Sequence, residues 1–455
     1  MGILVPLAII LFSFASVFFA RLFQKPIIGV YATLIFCFVM PAFTRELTGV
    51  PLGLGLEALL LCTWVAVFFN NRKYQWNTLN NDLVILTVLW FLVSVLEVFN
   101  PADASIIGWV QELRSAALHP LLIIPLTLLV CNSKKSLNTF LILTIAISVL
   151  GAINGLRQLK LGLTSGERLF VEEMATTHLI WGKLRVFSFF TDAGQYGASQ
   201  AHIALIAGLL VFGPFKWWVR ALLAVCCILL CVGMLISGTR GALFVLIAGA
   251  AVAVFLFKNF KILVLGGFLL IAAIGFLKFT NIGSGNYQIY RLRTALDPKD
   301  ASLNVRFYNQ RILGDYLKDK PFGGGLGVIG AWGHEYNSDK FLSTIEPDSY
   351  WVKVWAMYGI VGFVLWFCMM MYLLGKCGGI AWQIRDPILR IKVIALVAGA
   401  FGVFVASYGN EVINRIPSSI LVYMSMAFVY LSPRFDRQSR QQDEVDQQKE
   451  TAYAI

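Results

Sequence analysis

The feature that most constrains this sequence is a series of apolar runs of bilayer-spanning length separated by turns. They lie at about 2–23, 26–43, 51–70, 82–99, 113–131, 137–156, 195–213, 220–237, 240–257, 262–279, 349–374, 389–408 and 415–432. Roughly 20 apolar residues carry an α-helix across the hydrocarbon layer, where only helices and closed barrels satisfy every backbone polar group. One such run fits the core of a soluble protein, but a dozen in series do not. Composition agrees: 58% of residues are hydrophobic and 14% charged, with mean hydropathy +0.74. The expected fold class is an all-α polytopic integral membrane protein with about 12 or 13 transmembrane helices.

The formal net charge of +12 does not point to nucleic acid. Most Lys and Arg residues flank the apolar runs, where they orient helices. Arg72 and Lys73, Lys134 and Lys135, Lys216 and Arg220, Lys258 and Lys261, and Lys376, Arg385, Arg390 and Lys392 recur at every second turn. The positive-inside rule assigns those turns to the cytoplasm, so the intervals Arg157 to Gln195 and Asn281 to Pro347 face outward. The N-terminal stretch has no basic region and no small-residue cleavage pattern, which reads as a retained first helix. All eight cysteines lie in or beside apolar segments, so neither a disulfide framework nor a zinc site is expected.

The division that follows is 1–156 as N-terminal transmembrane helices, 157–194 as a first outer loop, and 195–279 as further transmembrane helices. A large outer loop at 280–348, the last transmembrane helices at 349–432 and a disordered cytoplasmic tail at 433–455 complete it. Long loops on a rigid scaffold are where sites are usually built. Within the larger loop, apolar residues recur at helical spacing from Leu303 to Lys318, and Pro321 with the glycines at 323, 324, 325 and 327 turns the chain.

Four outward segments carry residues suited to anion chemistry. Ser237-Gly238-Thr239-Arg240-Gly241 joins two spans and places an arginine where it needs an anionic partner or water. Arg185 opens the block Arg185-Val186-Phe187-Ser188-Phe189-Phe190, followed by Asp192, which reads equally as a helix cap. Arg306 and Arg311 lie on the loop helix, and an arginine fork matches phosphate oxygens. The glycines nearby offer backbone N–H groups to the same anion, without a nucleotide-loop ending. Glu346-Pro347-Asp348-Ser349-Tyr350 stands at the mouth of a span; Asp348 is either a proton acceptor or an N-cap, with His334 as a rival base. His119, His178 and His202 are scattered and read as structural.

In order and position these segments resemble the O-antigen ligase and polymerase superfamily of bacterial envelope enzymes. The likeness rests on the Arg185-x-Phe-Ser-Phe-Phe block, Ser237-x-Thr239-Arg240-Gly241, and a large loop with Arg306, Pro321 and Gly323-x-Gly325-x-Gly327. It ends at Asp348-Ser349-Tyr350 with Gly359-x-x-Gly362, and spans about 180–432.

The resemblance implies a fold similar to the C-type glycosyltransferases, with a large outward-facing loop domain. It implies transfer of a glycan from an undecaprenyl-diphosphate-linked donor to an acceptor hydroxyl on a glycan, lipid or protein, at the periplasmic face of the bacterial inner membrane. No metal or cofactor is implied. The pyrophosphate would be held by the arginines matching Arg240 and Arg306, with Arg185 and Arg311 as further candidates from their positions in the sequence. A histidine serves as base in the family's ligases, and here that position reads Asp348, leaving Asp348, Glu346 and His334 as candidates. In-line displacement would invert the anomeric carbon. The alternative class is a transporter, either a lipid-linked oligosaccharide flippase or a small-anion carrier, for which intramembrane ionisable groups such as Glu57 would matter.

Overall fold

The computed structural model describes residues 4–453 apart from 48, 259, 281, 283, 284, 286, 296 and 298–300. The expected loop boundary at Asn281 falls outside them. Among the described residues the chain is almost entirely helical, and each of the thirteen apolar runs falls on a helix. Seven helical segments are long and apolar enough to cross a membrane, and shorter apolar helices lie at Leu54–Phe69, Gly241–Leu256 and Val264–Phe279. The chain is a multi-pass, all-α membrane protein.

The first half comprises α1 (Leu4–Gln24), α2 (Ile27–Glu46), α3 (Leu54–Phe69), α4 (Asp82–Leu96), α5 (Ile106–Leu113), α6 (His119–Val130) and α7 (Lys134–Lys160). A π-helical turn at Arg114–Leu118 links α5 to α6. There Arg114 and His119 converge on Glu57, at 2.7 and 2.8 Å, so the intramembrane acid is ion-paired between helices. Charges inside a bilayer persist where they are paired in this way.

The interval between α7 and the next spanning helix contains α8 (Ser165–Glu173), α9 (Ala175–His178) and a two-stranded hairpin, β1 (Leu179–Ile180) with β2 (Lys183–Leu184). After it come α10 (Ala193–Val211), α11 (Trp217–Ile236), α12 (Gly241–Leu256) and α13 (Phe260–Phe279). α10 is buried along nearly its whole length. It packs with α12 and with α18 (Pro387–Ala406), both rich in small residues. A Cβ on Gly249 would come within 2.6 Å of Ala398 O, and one on Gly402 within 2.4 Å of Val245 O. Small residues permit that backbone approach, which is how membrane helices gain packing without a hydrophobic driving force.

The larger loop contains α14 (Tyr287–Thr294), α15 (Ala301–Leu317) and α16 (Ala331–Tyr336), so the amphipathic helix read at 303–318 is present. α17 (Tyr350–Gln383) follows and breaks at Gly359, where φ is 65°. The break leaves carbonyls without helical partners, and the glycine run meets them: Gly324 N donates to Ala356 O and Gly325 N to Met357 O, both at 2.9 Å. The N–H groups of Gly324 and Gly325, offered in sequence to an anion, are instead committed to the backbone of α17.

α19 (Ser418–Tyr453) runs through the segment expected to be disordered from 433 onward. Its continuation is docked: Phe435 is fully buried, and Asp436 accepts from the backbone N–H groups of Arg385 and Asp386 and pairs with Arg440. Composition alone missed this because Gln, Glu and Arg are also good helix formers once one turn is anchored.

Candidate active site

The site is built on a framework of aromatic residues that carry no chemistry themselves. Phe187 and Phe190 are fully buried, and Arg45 of α2 donates to the carbonyls of Ser188 and Phe190 while lying over the rings of Phe170 and Phe187. This anchors the block beginning at Arg185 against the bundle. Arg185 then reaches across to the 237–241 turn, donating from Nε to Ser237 O and from Nη2 to Thr239 Oγ1, both at 3.2 Å. Thr239 Oγ1 donates in turn to Ala193 O at 2.7 Å, tying the turn to the first residue of α10. Gly238 takes φ of 60°, and Gly241 has no room for a side chain because Asn410 Nδ2 lies 2.2 Å from where its Cβ would stand. Arg240 is thereby held at the N-terminus of α12, the positive end of the helix dipole.

These segments, with α14, α15, the 330–348 stretch and the 407–417 loop, enclose a cavity of about 720 Å³ at one end of the bundle. Arg185, Arg240, Arg306, His334, Glu346 and Asp348 all line it. Arg311 does not: it is exposed on α15. Five residues of helix turn it well away from Arg306. Arg291, Asp192, Glu411, Arg415 and His178 line the cavity as well. Sequence reading passed over Arg291, Glu411 and Arg415. The available signal for the last two was a carboxylate and an arginine four residues apart in a turn between two spans.

Glu346 and Asp348 share a face because residues 346–349 are extended, with Ile345, Pro347 and Ser349 buried between and beside them. The N-cap of α17 is Ser349, whose hydroxyl accepts from Val352 N, so Asp348 has no capping duty. Its carboxylate instead accepts from Arg306 Nε at 3.1 Å. Next to it His334 Nε2 and Glu346 Oε1 lie 2.9 Å apart. A carboxylate partner at Nε2 fixes the tautomer with the proton there and the lone pair on Nδ1.

At the opposite wall, Asp192 is both cap and ion-pair partner: Oδ1 accepts from Gln195 N at 2.8 Å and Oδ2 lies 3.3 Å from Arg415. Burial alone would raise its pKa, but Arg415 and the Gln195 N–H hold it below the ordinary carboxylate range. Burial lowers the pKa of His178, outweighing the pull of Asp192. Neutral His178 accepts from Ala193 N through Nε2, so it supports α10 as well as facing the cavity. Among the described residues no three His, Cys, Asp or Glu side chains are grouped as metal ligands.

A helical membrane bundle with an arginine-lined polar cavity at one end, holding a carboxylate–histidine pair, has the features of a membrane protein with a site for an anionic ligand. Residues 225–367 match the family model described as O-antigen ligase, which supports an O-antigen ligase/polymerase-type family for the chain. The matched stretch runs from within α11 into α17 and includes Arg240, Arg306, His334, Glu346 and Asp348. No curated protein matches the chain. The family indicates glycosyltransferase-like ligase or polymerase activity, with a lipid-linked glycan donor and glycan or lipid acceptors in general.

Proposed function

We propose that the cavity transfers a glycan from an undecaprenyl-diphosphate-linked donor to an acceptor hydroxyl at the periplasmic face of the inner membrane. The observation that carries this reading is the convergence of Arg185, Arg240 and Arg306, from three separate outward segments, on one cavity with a His–Glu pair. Diphosphate is already a good leaving group. Catalysis therefore requires stabilisation of its developing charge and removal of one proton from the nucleophile. Arg240 and Arg306 supply the first through their forks. His334 supplies the second: Glu346 orients its ring, and Nδ1 takes the acceptor's hydroxyl proton. The acceptor oxygen then bonds to the anomeric carbon as the bond from that carbon to the phosphate oxygen breaks, and the electron pair leaves on the diphosphate. Attack opposite the leaving group inverts the centre.

Asp348 has a different part from the one its position suggests. Its carboxylate is already engaged by the Arg306 guanidinium, and here it holds Arg306 over the cavity until the diphosphate replaces it. The transporter alternative finds its principal intramembrane acid, Glu57, bound up with Arg114 and His119.

The test is glycan transfer in reconstituted membranes from the undecaprenyl-diphosphate-linked donor, with variants at equal expression. Arg240→Ala, Arg306→Ala and His334→Gln are each expected to lose transfer by roughly 100-fold, while Asp348→Asn keeps donor binding. Full transfer in both arginine variants refutes the mechanism, and donor crossing the bilayer without transfer establishes the flippase instead.

A further inference from the structure

The 407–417 loop joins α18 to α19 and lies outside the stretch matched to the family model, yet it places Asn410, Glu411 and Arg415 on the cavity wall. Arg415 is held with unusual completeness. Its Nη1 lies 3.3 Å from Asp192 Oδ2, and its Nη2 and Nε lie 3.2 and 3.3 Å from Glu411 Oε2. Its carbonyl oxygen accepts from Gln195 Nε2 at 3.2 Å, so the backbone is fixed too. Behind Glu411 stands Lys353 of α17, 3.4 Å from Glu411 Oε2 and 2.9 Å from Glu112 Oε2. The Lys353 and Glu112 side chains are only 6% and 1% exposed, whereas that of Arg415 is 42% exposed.

That gradient is the informative part. A buried charge survives by pairing, and Lys353 is paired on both sides, which fixes Glu411 in turn. An arginine needed only to tie helices together would be sealed in the same way. Arg415 is instead open to a cavity that four other arginines line, with Asp192 engaging Nη1 and Glu411 engaging Nη2 and Nε, so that each terminal nitrogen keeps one further N–H. Its remaining N–H groups are presented in the planar geometry that suits phosphate oxygens.

We infer that Arg415 is a further ligand of the donor's diphosphate, presented by Asp192 and Glu411, with Lys353 acting through Glu411 as a positioning residue. The identity of the anion rests on the glycan-transfer reading. Inorganic pyrophosphate presents the same bridged pair of phosphate groups, at higher charge and without lipid or sugar, so it serves as an independent probe.

The experiment measures pyrophosphate binding to the full-length protein in nanodiscs by calorimetry, and donor KM and kcat in the transfer assay. Arg415→Ala and Arg415→Gln are compared with Arg311→Ala, which removes the same charge from the exposed face of α15. Both Arg415 variants are expected to weaken pyrophosphate by about tenfold and to raise donor KM similarly, with Arg311→Ala within about twofold of wild type. Arg415→Gln still offers a hydrogen bond to Asp192, so it reports even where Arg415→Ala fails to fold. The double variant Glu112→Gln/Lys353→Met is expected to raise donor KM, and Lys353→Arg to keep it near wild type. Wild-type pyrophosphate affinity in Arg415→Gln, or an equal loss in Arg311→Ala, overturns the assignment of Arg415. An unchanged KM in the double variant overturns the positioning role. Arg415-dependent pyrophosphate binding without any glycan transfer removes the transfer reading and leaves the anion site standing. Transfer at wild-type KM in Arg415→Gln removes this inference alone.

Discussion

Single residues in this cavity acquire their roles from their neighbours. Asp348 and His334 sit in one loop, yet the first faces a guanidinium and the second a carboxylate, and the proposed mechanism uses that difference to give one charge presentation and the other proton transfer. His178 shows the same dependence through pH. Its pKa lies below 6.5 in the fold, chiefly because burial disfavours the imidazolium, and protonation would also cost the acceptor that Ala193 N uses. The unfolded chain therefore takes up the proton first as pH falls. The stabilisation from His178 is fully present above 6.5 and is lost as pH falls through the lower folded value. The melting temperature in detergent is expected to drop as pH falls below the ordinary histidine value, and His178→Gln to flatten that step. An equal drop in the variant would assign the pH dependence to other groups.

Among elements, the broken helix α17 has the largest effect on the site. The break at Gly359 lets residues 321–325 dock: Val361 N donates to Pro321 O, and the glycine run covers the freed carbonyls. The docked loop leads directly into the 330–348 stretch that carries His334, Glu346 and Asp348. A Cβ at Gly359 would combine a positive φ with a contact of 2.1 Å to Pro321 O, whereas one at Gly375 on the same helix meets nothing within 4 Å. Gly359→Ala is thus expected to lower folded yield and thermal stability sharply, because a non-glycine residue at φ 65° and ψ −170° costs roughly 1–3 kcal/mol before the clash is counted. Gly375→Ala is expected to be neutral or to stabilise by roughly 0.5–1 kcal/mol. Thermal unfolding of the two variants, compared side by side, checks both.

Across the whole molecule, a chain of charges connects Glu112 on α5, Lys353 on α17, Glu411 and Arg415 in the 407–417 loop, and Asp192 at the start of α10. It joins the N-terminal helices to the C-terminal ones through the wall of the cavity, so stability and site geometry are coupled. Removing Lys353 alone leaves Glu112 and Glu411 without their common cation. Lys353→Met is expected to destabilise the protein by roughly 3–5 kcal/mol, read as a large fall in melting temperature, since one partner of a buried pair is then uncompensated. Neutralising Glu112 in the same background is expected to recover part of that loss. No recovery would mean that the lysine's packing, rather than its charge, holds the helices.

The sequence by itself determined that the chain is an all-α membrane protein, and its apolar runs, read as about 12 or 13 spans, each fall on a helix, because lipid leaves the backbone little alternative. It also marked Arg240 and Arg306, since an arginine beside a bilayer needs a reason to be there. Tertiary structure decided which of the marked residues meet. Arg306 reaches the cavity and Arg311 does not, through a rotation along one helix that spacing hints at but only a packed neighbour fixes. Ser349 rather than Asp348 caps α17, which released the aspartate for Arg306. Arg415 comes beside Asp192 from 223 positions away in the chain. No local pattern encodes such a contact: it arises when α10, α18 and α19 pack through their small residues and bring the ends of distant helices to one place.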